Sequence, residues 1–179
     1  MVKTKKIILG VTASIAIYKA CEIVRRLKEQ AFSVTVVMTP EAGELINPLV
    51  FSSLSENKAY IDLFSEAQAW QIEHVSLAEQ ADVVLVAPAT ANIIAKCAAG
   101  ICDDLLSCLI LATKAPILFA PAMNENMFNN KVTQQNIEKL KSLGHKFIAP
   151  RVGRLACGKT GIGCLAETEE IVAAVKKLF

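Results

Sequence analysis

The chain is poor in the patterns that mark several common functions. Its six cysteines, Cys21, Cys97, Cys102, Cys108, Cys157 and Cys164, form no CxxC pair, and its two histidines form no HxH cluster. That spacing excludes the usual zinc and iron–sulfur frameworks, so no metal is expected. It suits a reducing compartment, where most of the thiols serve as small buried hydrophobes. Charge of one sign is also missing. The 19 Lys and Arg stand against 17 Asp and Glu, a net charge of +2. No basic run, and no interleaving of basic and aromatic residues, marks a nucleic-acid face. No apolar stretch is long enough to span a bilayer. Lys3, Lys5 and Lys6 before an apolar run imitate a signal peptide, but Gly10, Thr12 and Ser14 interrupt that run. A cytoplasmic protein with no nucleic-acid or membrane partner is expected. GxGxxG is lacking too, and no acidic residue at the dinucleotide spacing compels NAD, which leaves a mononucleotide as the better fit.

What is present is apolar patterning. At 179 residues and 53% apolar composition, the chain is expected to be one domain, 1–179. It has core enough for a sheet covered on both faces, or for a subunit interface. Segments 5–11, 33–38, 81–87, 115–120 and 145–149 are short apolar runs that predict buried strands. Helical segments separate them. Segment 13–29 carries Ile15, Tyr18, Ala20, Ile23, Val24 and Leu27 at helical spacing, and 44–55, 90–100, 103–113, 130–143 and 169–179 are further helices. This alternation predicts an α/β domain, a Rossmann-like parallel sheet with helices on both faces. Segment 57–71 has weak periodicity, and its Phe64 and Trp70 fit core, lid or subunit contact alike.

Candidate chemistry gathers after the strands, where open parallel sheets bind ligands. Gly10-Val11-Thr12-Ala13-Ser14 puts a glycine and two hydroxyls before a helix. The pattern fits a phosphate cradle, and equally an ordinary N-cap by Thr12 or Ser14. Thr39 closes the second strand, and Thr90 caps the helix after the third. Asp103 and Asp104 open the next helix and read as cap and dipole partners without chemistry. Then comes Pro121-Ala122-Met123-Asn124-Glu125-Asn126-Met127-Phe128. Proline forces a turn, and Asn124 stands between two pliable thioethers. An amide that both donates and accepts suits a flat heterocycle with a polar substrate group. It equally suits a turn whose Asn satisfies its own backbone. Segment 151–167 holds four glycines beside Arg154 and Lys159, the pattern of a mobile flap closing on an anion.

Pro121-Ala122-Met123-Asn124 through Met127-Phe128 resembles the PXMNXXMW motif of the homo-oligomeric flavin-containing cysteine decarboxylases, with Phe for the usual Trp. Gly10 to Ala16 is similar to the first phosphate-binding segment of that family. His74-Val75-Ser76-Leu77 is similar to its His-Ile/Val-x-Leu signature, and Thr90-Ala91-Asn92-Ile93 to its Ser-Ala-Asn-Thr segment without the last hydroxyl. Leu155-Ala156-Cys157-Gly158 through Gly161-Ile162-Gly163 resembles its substrate clamp, with Cys164 departing from the usual residue that follows.

The resemblance implies a flavodoxin-like fold, bound FMN, and a homo-oligomer that is a trimer or a multiple of trimers. It implies cofactor contacts at Gly10, Thr12, Ser14, Thr39, Thr90, Ala91, Asn92 and Ala122. It implies catalytic roles for His74, Asn124 and Cys157, with Asn124, Met127, Arg154, Ala156 and Lys159 binding substrate. A Cys at position 157 marks family members that act on 4′-phosphopantothenoylcysteine. The expected reaction is loss of CO2 from that substrate through a thioaldehyde and an ene-thiolate. His74 and Asn124 hold the carboxylate, and Cys157 returns the proton. Other members act on a peptide's C-terminal cysteine, flavin prenyltransferases share the fold, and some relatives regulate protein phosphatases through chains with long acidic extensions. Neither such an extension nor a synthetase domain is expected here.

Overall fold

The five apolar runs pair into one parallel sheet in a computed structural model that describes residues 4–62 and 73–179. They are β1 (Lys6–Val11), β2 (Ser33–Met38), β3 (Val83–Ala89), β4 (Ile117–Pro121) and β5 (Lys146–Phe147). Their order is β2-β1-β3-β4-β5, the flavodoxin-like order expected, and every neighbouring pair is parallel. Parallel neighbours need crossover connections, and helices supply them. These are α1 (Tyr18–Glu29, entered through a 3₁₀ turn at Ile15–Ile17), α2 (Pro40–Gly43), α3 (Pro48–Ser55), α4 (Glu73–Gln80), α5 (Ala91–Ala99), α6 (Leu105–Ala112), α7 (Glu125–Asn129), α8 (Lys131–Ser142) and α9 (Thr168–Lys176). The winding direction reverses between β1 and β3, which opens a crevice beyond their carboxyl ends.

Side-chain alternation along the strands divides the core in two. Ile7, Leu9 and Val11 of β1 pack with Leu85 of β3 against Ile23 and Leu27 of α1, Phe51 of α3 and Ile171 of α9. Ile8, Val84 and Val86 point the other way, onto Ile93 of α5, Leu105, Leu106 and Leu109 of α6 and Leu140 of α8. All are buried, and each such side chain stabilises the fold by about 1.5–3 kcal/mol. Gly10 faces this second layer. A Cβ there would lie 2.6 Å from Leu106 Cδ1, so the glycine is what lets α6 approach β1.

Several boundaries depart from the sequence expectation because local chemistry outweighs periodicity. The helix expected over 13–29 starts at Ile15 as a 3₁₀ turn, since the Ser14 side chain caps Ala16 N. The helix expected over 44–55 starts late, at Pro48, and a separate short helix, Pro40–Gly43, precedes it. Pro40 and Pro48 each occupy a first turn, behind the capping side chains of Thr39 and Asn47. β3 runs on through Pro88, so that Ala89 pairs with Pro121. The strand expected over 145–149 shrinks to two residues, an edge that meets only Leu118 and Phe119. Segment 151–167, expected as a mobile flap, holds an antiparallel hairpin, β6 (Arg151–Arg154) with β7 (Thr160–Cys164). Phe64 and Trp70 lie outside the described residues. Among those described, no helix is long and apolar enough to cross a membrane.

Candidate active site

The strand ends and the hairpin enclose a cavity of about 800 Å3. Of the residues singled out in the sequence, Thr12, Ser14, Thr39, Thr90, Ala91, Asn92, Ala122, Asn124, Met127, Arg154, Ala156 and Cys157 line it. Gly10 does not, because it is turned into the core under Leu106. Lys159 does not either; it lies exposed at the hairpin turn. The side chain of His74 lies outside the described residues.

The hydroxyls hold the frame of the cavity. Thr12 Oγ1 donates to the Pro88 carbonyl at 2.7 Å and accepts from the Thr90 amide at 3.1 Å. It thereby ties the end of β1 to the turn after β3. Ser14 Oγ accepts from Ala16 N at 3.3 Å and donates to the Ala122 carbonyl at 3.2 Å, a tie to the turn after β4. Thr39 and Thr90 accept from Ala42 N and Ile93 N, each at 3.3 Å, as N-caps of α2 and α5. The N-cap reading therefore holds for Ser14. A ligand anion would meet first-turn amides and the positive helix ends rather than free hydroxyls. Thr12→Val keeps the side-chain shape but leaves a buried carbonyl and the Thr90 amide without their partner. It is expected to destabilise by about 2–4 kcal/mol, read from urea unfolding, whereas Thr12→Ser stays near wild type. Equal midpoints for the valine variant and wild type would refute the tie.

Asn124 caps its own turn with one end of its amide and keeps the other end toward the cavity. Its Oδ1 accepts from Asn126 N at 2.9 Å and caps α7. Its Nδ2 lies 4.0 Å from Cys157 Sγ. The carbonyl end thus serves the turn, and the NH2 end faces the thiol across the cavity. Cys157 is exposed at the hairpin tip, in a turn closed by Leu155 N to Lys159 O at 2.8 Å and Gly158 N to Leu155 O at 2.9 Å. β7 lies directly on the Asn124 segment. Met123 N donates to Gly163 O at 3.0 Å, and a Cβ on Gly163 would stand 2.1 Å from Met123 O. A Cβ on Gly161 would stand 2.5 Å from Glu125 Oε2. Glycine here serves close approach, not looseness.

Other thiols differ in their setting. Burial, with the Asp104 carboxylate adding to it, pushes the Cys97 thiol up to about 12. Burial also raises Cys21 and Cys108. Such thiols stay protonated and quiet. Asp104 caps α6 through Ser107 N at 2.7 Å and pairs with Lys96 at 2.9 Å, and Asp103 joins the same ammonium at 2.7 Å. Both acids thus keep the structural role read from the sequence. Ile93, which replaces a family hydroxyl, is 1% exposed and packs in the second core layer.

Sequence reasoning missed a charged group in the cavity wall. Arg151 Nε lies 2.9 Å from Glu167 Oε1, and Lys19 Nζ lies 3.6 Å from Glu167 Oε2. Arg151 and Lys19 both line the cavity. The available signal was an arginine and a glutamate standing at the two ends of the glycine-rich segment.

The family model Flavoprotein matches residues 1–179, the whole chain. The chain belongs to the Flavoprotein family. This flavoprotein is 42% identical over 179 residues to the coenzyme A biosynthesis bifunctional protein CoaBC of Bacillus subtilis, covering 100% of the chain and 44% of that protein. It therefore spans under half the length of the CoaBC relatives it matches. It is 42% identical over 176 residues to a probable phosphopantothenoylcysteine decarboxylase of Streptococcus mutans, covering 97% of the chain and 98% of the relative. Among solved structures, a PPC decarboxylase mutant complexed with pantothenoylaminoethenethiol superposes with a TM-score of 0.88 at 30% identity, over 98% of each chain.

Proposed function

We propose that this flavoprotein uses FMN to decarboxylate 4′-phosphopantothenoylcysteine to 4′-phosphopantetheine, a step of coenzyme A biosynthesis. The observation that carries the reading is the facing pair of Asn124 and Cys157, 4.0 Å apart on the wall of an 800 Å3 cavity. The relatives named for this decarboxylation support it, because one of them matches over nearly its full length.

The residues present fit FMN. The cavity volume suits a cofactor of this size. The first turn of α5 would hold the phosphate through its amides, and Met123 and Met127, which line the wall, would pack on the flat ring. Bound FMN supplies a two-electron oxidation of the substrate's CH2–SH group, which creates the electron sink that loss of CO2 needs. The Asn124 NH2 would hold the departing carboxylate, with His74 sharing that task. Cys157 would deliver the proton to carbon when the ene-thiolate is reduced. Arg154 and Ala156 would border the substrate along the hairpin.

The reading includes a cytoplasmic homo-oligomer, a trimer or a multiple of it. Ile15, Tyr18 and Met127 line the cavity yet are 66%, 63% and 49% exposed, which supports a subunit contact at its mouth. One preparation tests all of this. The purified protein is expected to be yellow with non-covalent FMN, to sediment as a trimer or a multiple, and to release CO2 from synthetic substrate with the product mass of the saturated thiol. Protein that neither carries nor takes up FMN, or intact substrate after incubation, would overturn the reading.

A further inference from the structure

Arg151 and Lys19 have no part in the reaction described above, yet both line the cavity and both pair with Glu167. Arg151 opens β6. Its Nε meets both Glu167 Oε1 at 2.9 Å and the Leu165 carbonyl at 3.2 Å, two groups that follow β7. Among the described residues the guanidinium is bonded only through Nε, and its two terminal nitrogens keep their donors. Its Nη1 lies along the strand over Gly153, where a Cβ would come within 3.1 Å. Lys19, in the first turn of α1, reaches the other oxygen of Glu167 at 3.6 Å, and its side chain is 20% exposed. Two cations therefore share one carboxylate, which leaves one positive charge on the wall. The other lysine–aspartate group near the cavity is closed, since Lys96 holds both Asp103 and Asp104. The remaining acidic side chain on the wall, Glu41, sits just after β2.

We propose that Lys19 and Arg151, oriented by Glu167, form a subsite for a phosphate monoester and take the 4′-phosphate of the substrate. The assignment rests on the proposed function. A planar guanidinium with free terminal donors beside an ammonium is a fitting receptor for phosphate oxygens. The spacing agrees. Arg151 to Arg154 is three strand steps of about 3.3 Å, so the base of the hairpin lies about 10 Å from its distal end. Eleven bonds separate the substrate's phosphorus from its cysteine Cα, on the order of 14 Å when extended, which carries the chain from the hairpin base past Arg154 to the turn. With its cysteine at the Cys157 tip, its phosphate reaches the base.

FMN carries a phosphate monoester as well, so the test has two arms. Holoenzyme of wild type, Arg151→Gln, Arg151→Lys and Lys19→Gln is assayed with pantothenoylcysteine bearing or lacking its phosphate. In parallel, FMN and riboflavin are titrated against each apoprotein. Wild type is expected to favour the phosphorylated substrate about tenfold or more in kcat/KM. Arg151→Gln is expected to abolish most of that preference through KM rather than kcat, with Arg151→Lys in between. The ratio of FMN to riboflavin affinity is expected to stay at its wild-type value in all variants. Equal loss on both substrates, or a changed cofactor ratio with the substrate preference intact, overturns the assignment. So does a wild type that handles both substrates with equal KM, a result that needs no variant to fold. Absence of CO2 from both substrates defeats the proposed function instead, whereas CO2 release without phosphate preference defeats the subsite alone.

Discussion

Cys157→Ser is expected to release CO2 and then fail to make the saturated thiol. On the proposed function, oxidation and decarboxylation would depend on the cofactor and on groups that hold the carboxylate, and Asn124 keeps its NH2 in this variant. The last step needs a proton for carbon, and a serine hydroxyl is far too weak an acid to supply it near neutral pH. Loss of a positioned proton donor lowers a rate by about 10²–10⁴-fold. The product should accumulate as an enethiol, two hydrogens lighter than normal. Under nitrogen it stops after one turnover, and under air it continues slowly as oxygen restores the oxidised cofactor. Cys97→Ala and Cys21→Ala are the controls. Both thiols are displaced upward by burial, and neither lines the cavity, so their product masses should be normal. Product mass spectrometry decides the matter. Saturated product from Cys157→Ser at the wild-type rate would place the proton elsewhere.

Gly163→Ala is expected to cost both stability and activity. Its φ is 135°, which an L-residue adopts only with strain of about 1–3 kcal/mol. A Cβ would also stand 2.1 Å from the Met123 carbonyl oxygen. That atom belongs to the backbone and cannot rotate away, so β7 must lift. The bond from Met123 N to Gly163 O is then lost, at about 1 kcal/mol more. A total of about 2–4 kcal/mol lowers Tm by roughly 4–16 °C in a chain of this size. The lift also separates Cys157 from Asn124, so formation of saturated product should fall with it. Gly100→Ala separates backbone strain from docking. Gly100 also has positive φ, at 72°, but nothing lies within 4 Å of the added carbon. That variant should lose about 1 kcal/mol and keep its product. A Gly163→Ala protein with wild-type Tm and rate would show that the hairpin does not depend on this contact.

The sheet was legible because its strands are buried on both faces and so read as continuous apolar runs; β2 matches its expected bounds residue for residue. The turns were less so. Pro48 starts a helix behind the Asn47 cap, and the sequence reading began that helix four residues early, at 44. Gly10 looked like part of a phosphate cradle because it precedes a helix. Its reason is Leu106, a side chain almost 100 positions later in the sequence, and no local pattern reports a contact of that range. The same holds for Gly161 and Gly163. Glycine in a sequence signals freedom, but here it marks two places where another backbone or carboxylate presses close. At Asn124 the turn reading holds through one end of the amide, and the other end stays directed at Cys157. Arg151 and Glu167 were invisible as a pair until the hairpin brought its two ends together.

The hairpin also divides the labour of change along its own length. Its stem is pinned at the base on both strands, by Arg151 on Glu167 and by Gly163 on Met123, and a Cβ at Gly161 or Gly163 would collide with the Asn124 segment. Its five-residue turn, 155–159, is bonded mainly to itself. A lineage or a laboratory seeking a different cysteine-bearing ligand would therefore find its working variation at the turn, around Ala156 and Lys159. The stem would carry that variation unchanged, as a handle carries interchangeable tips.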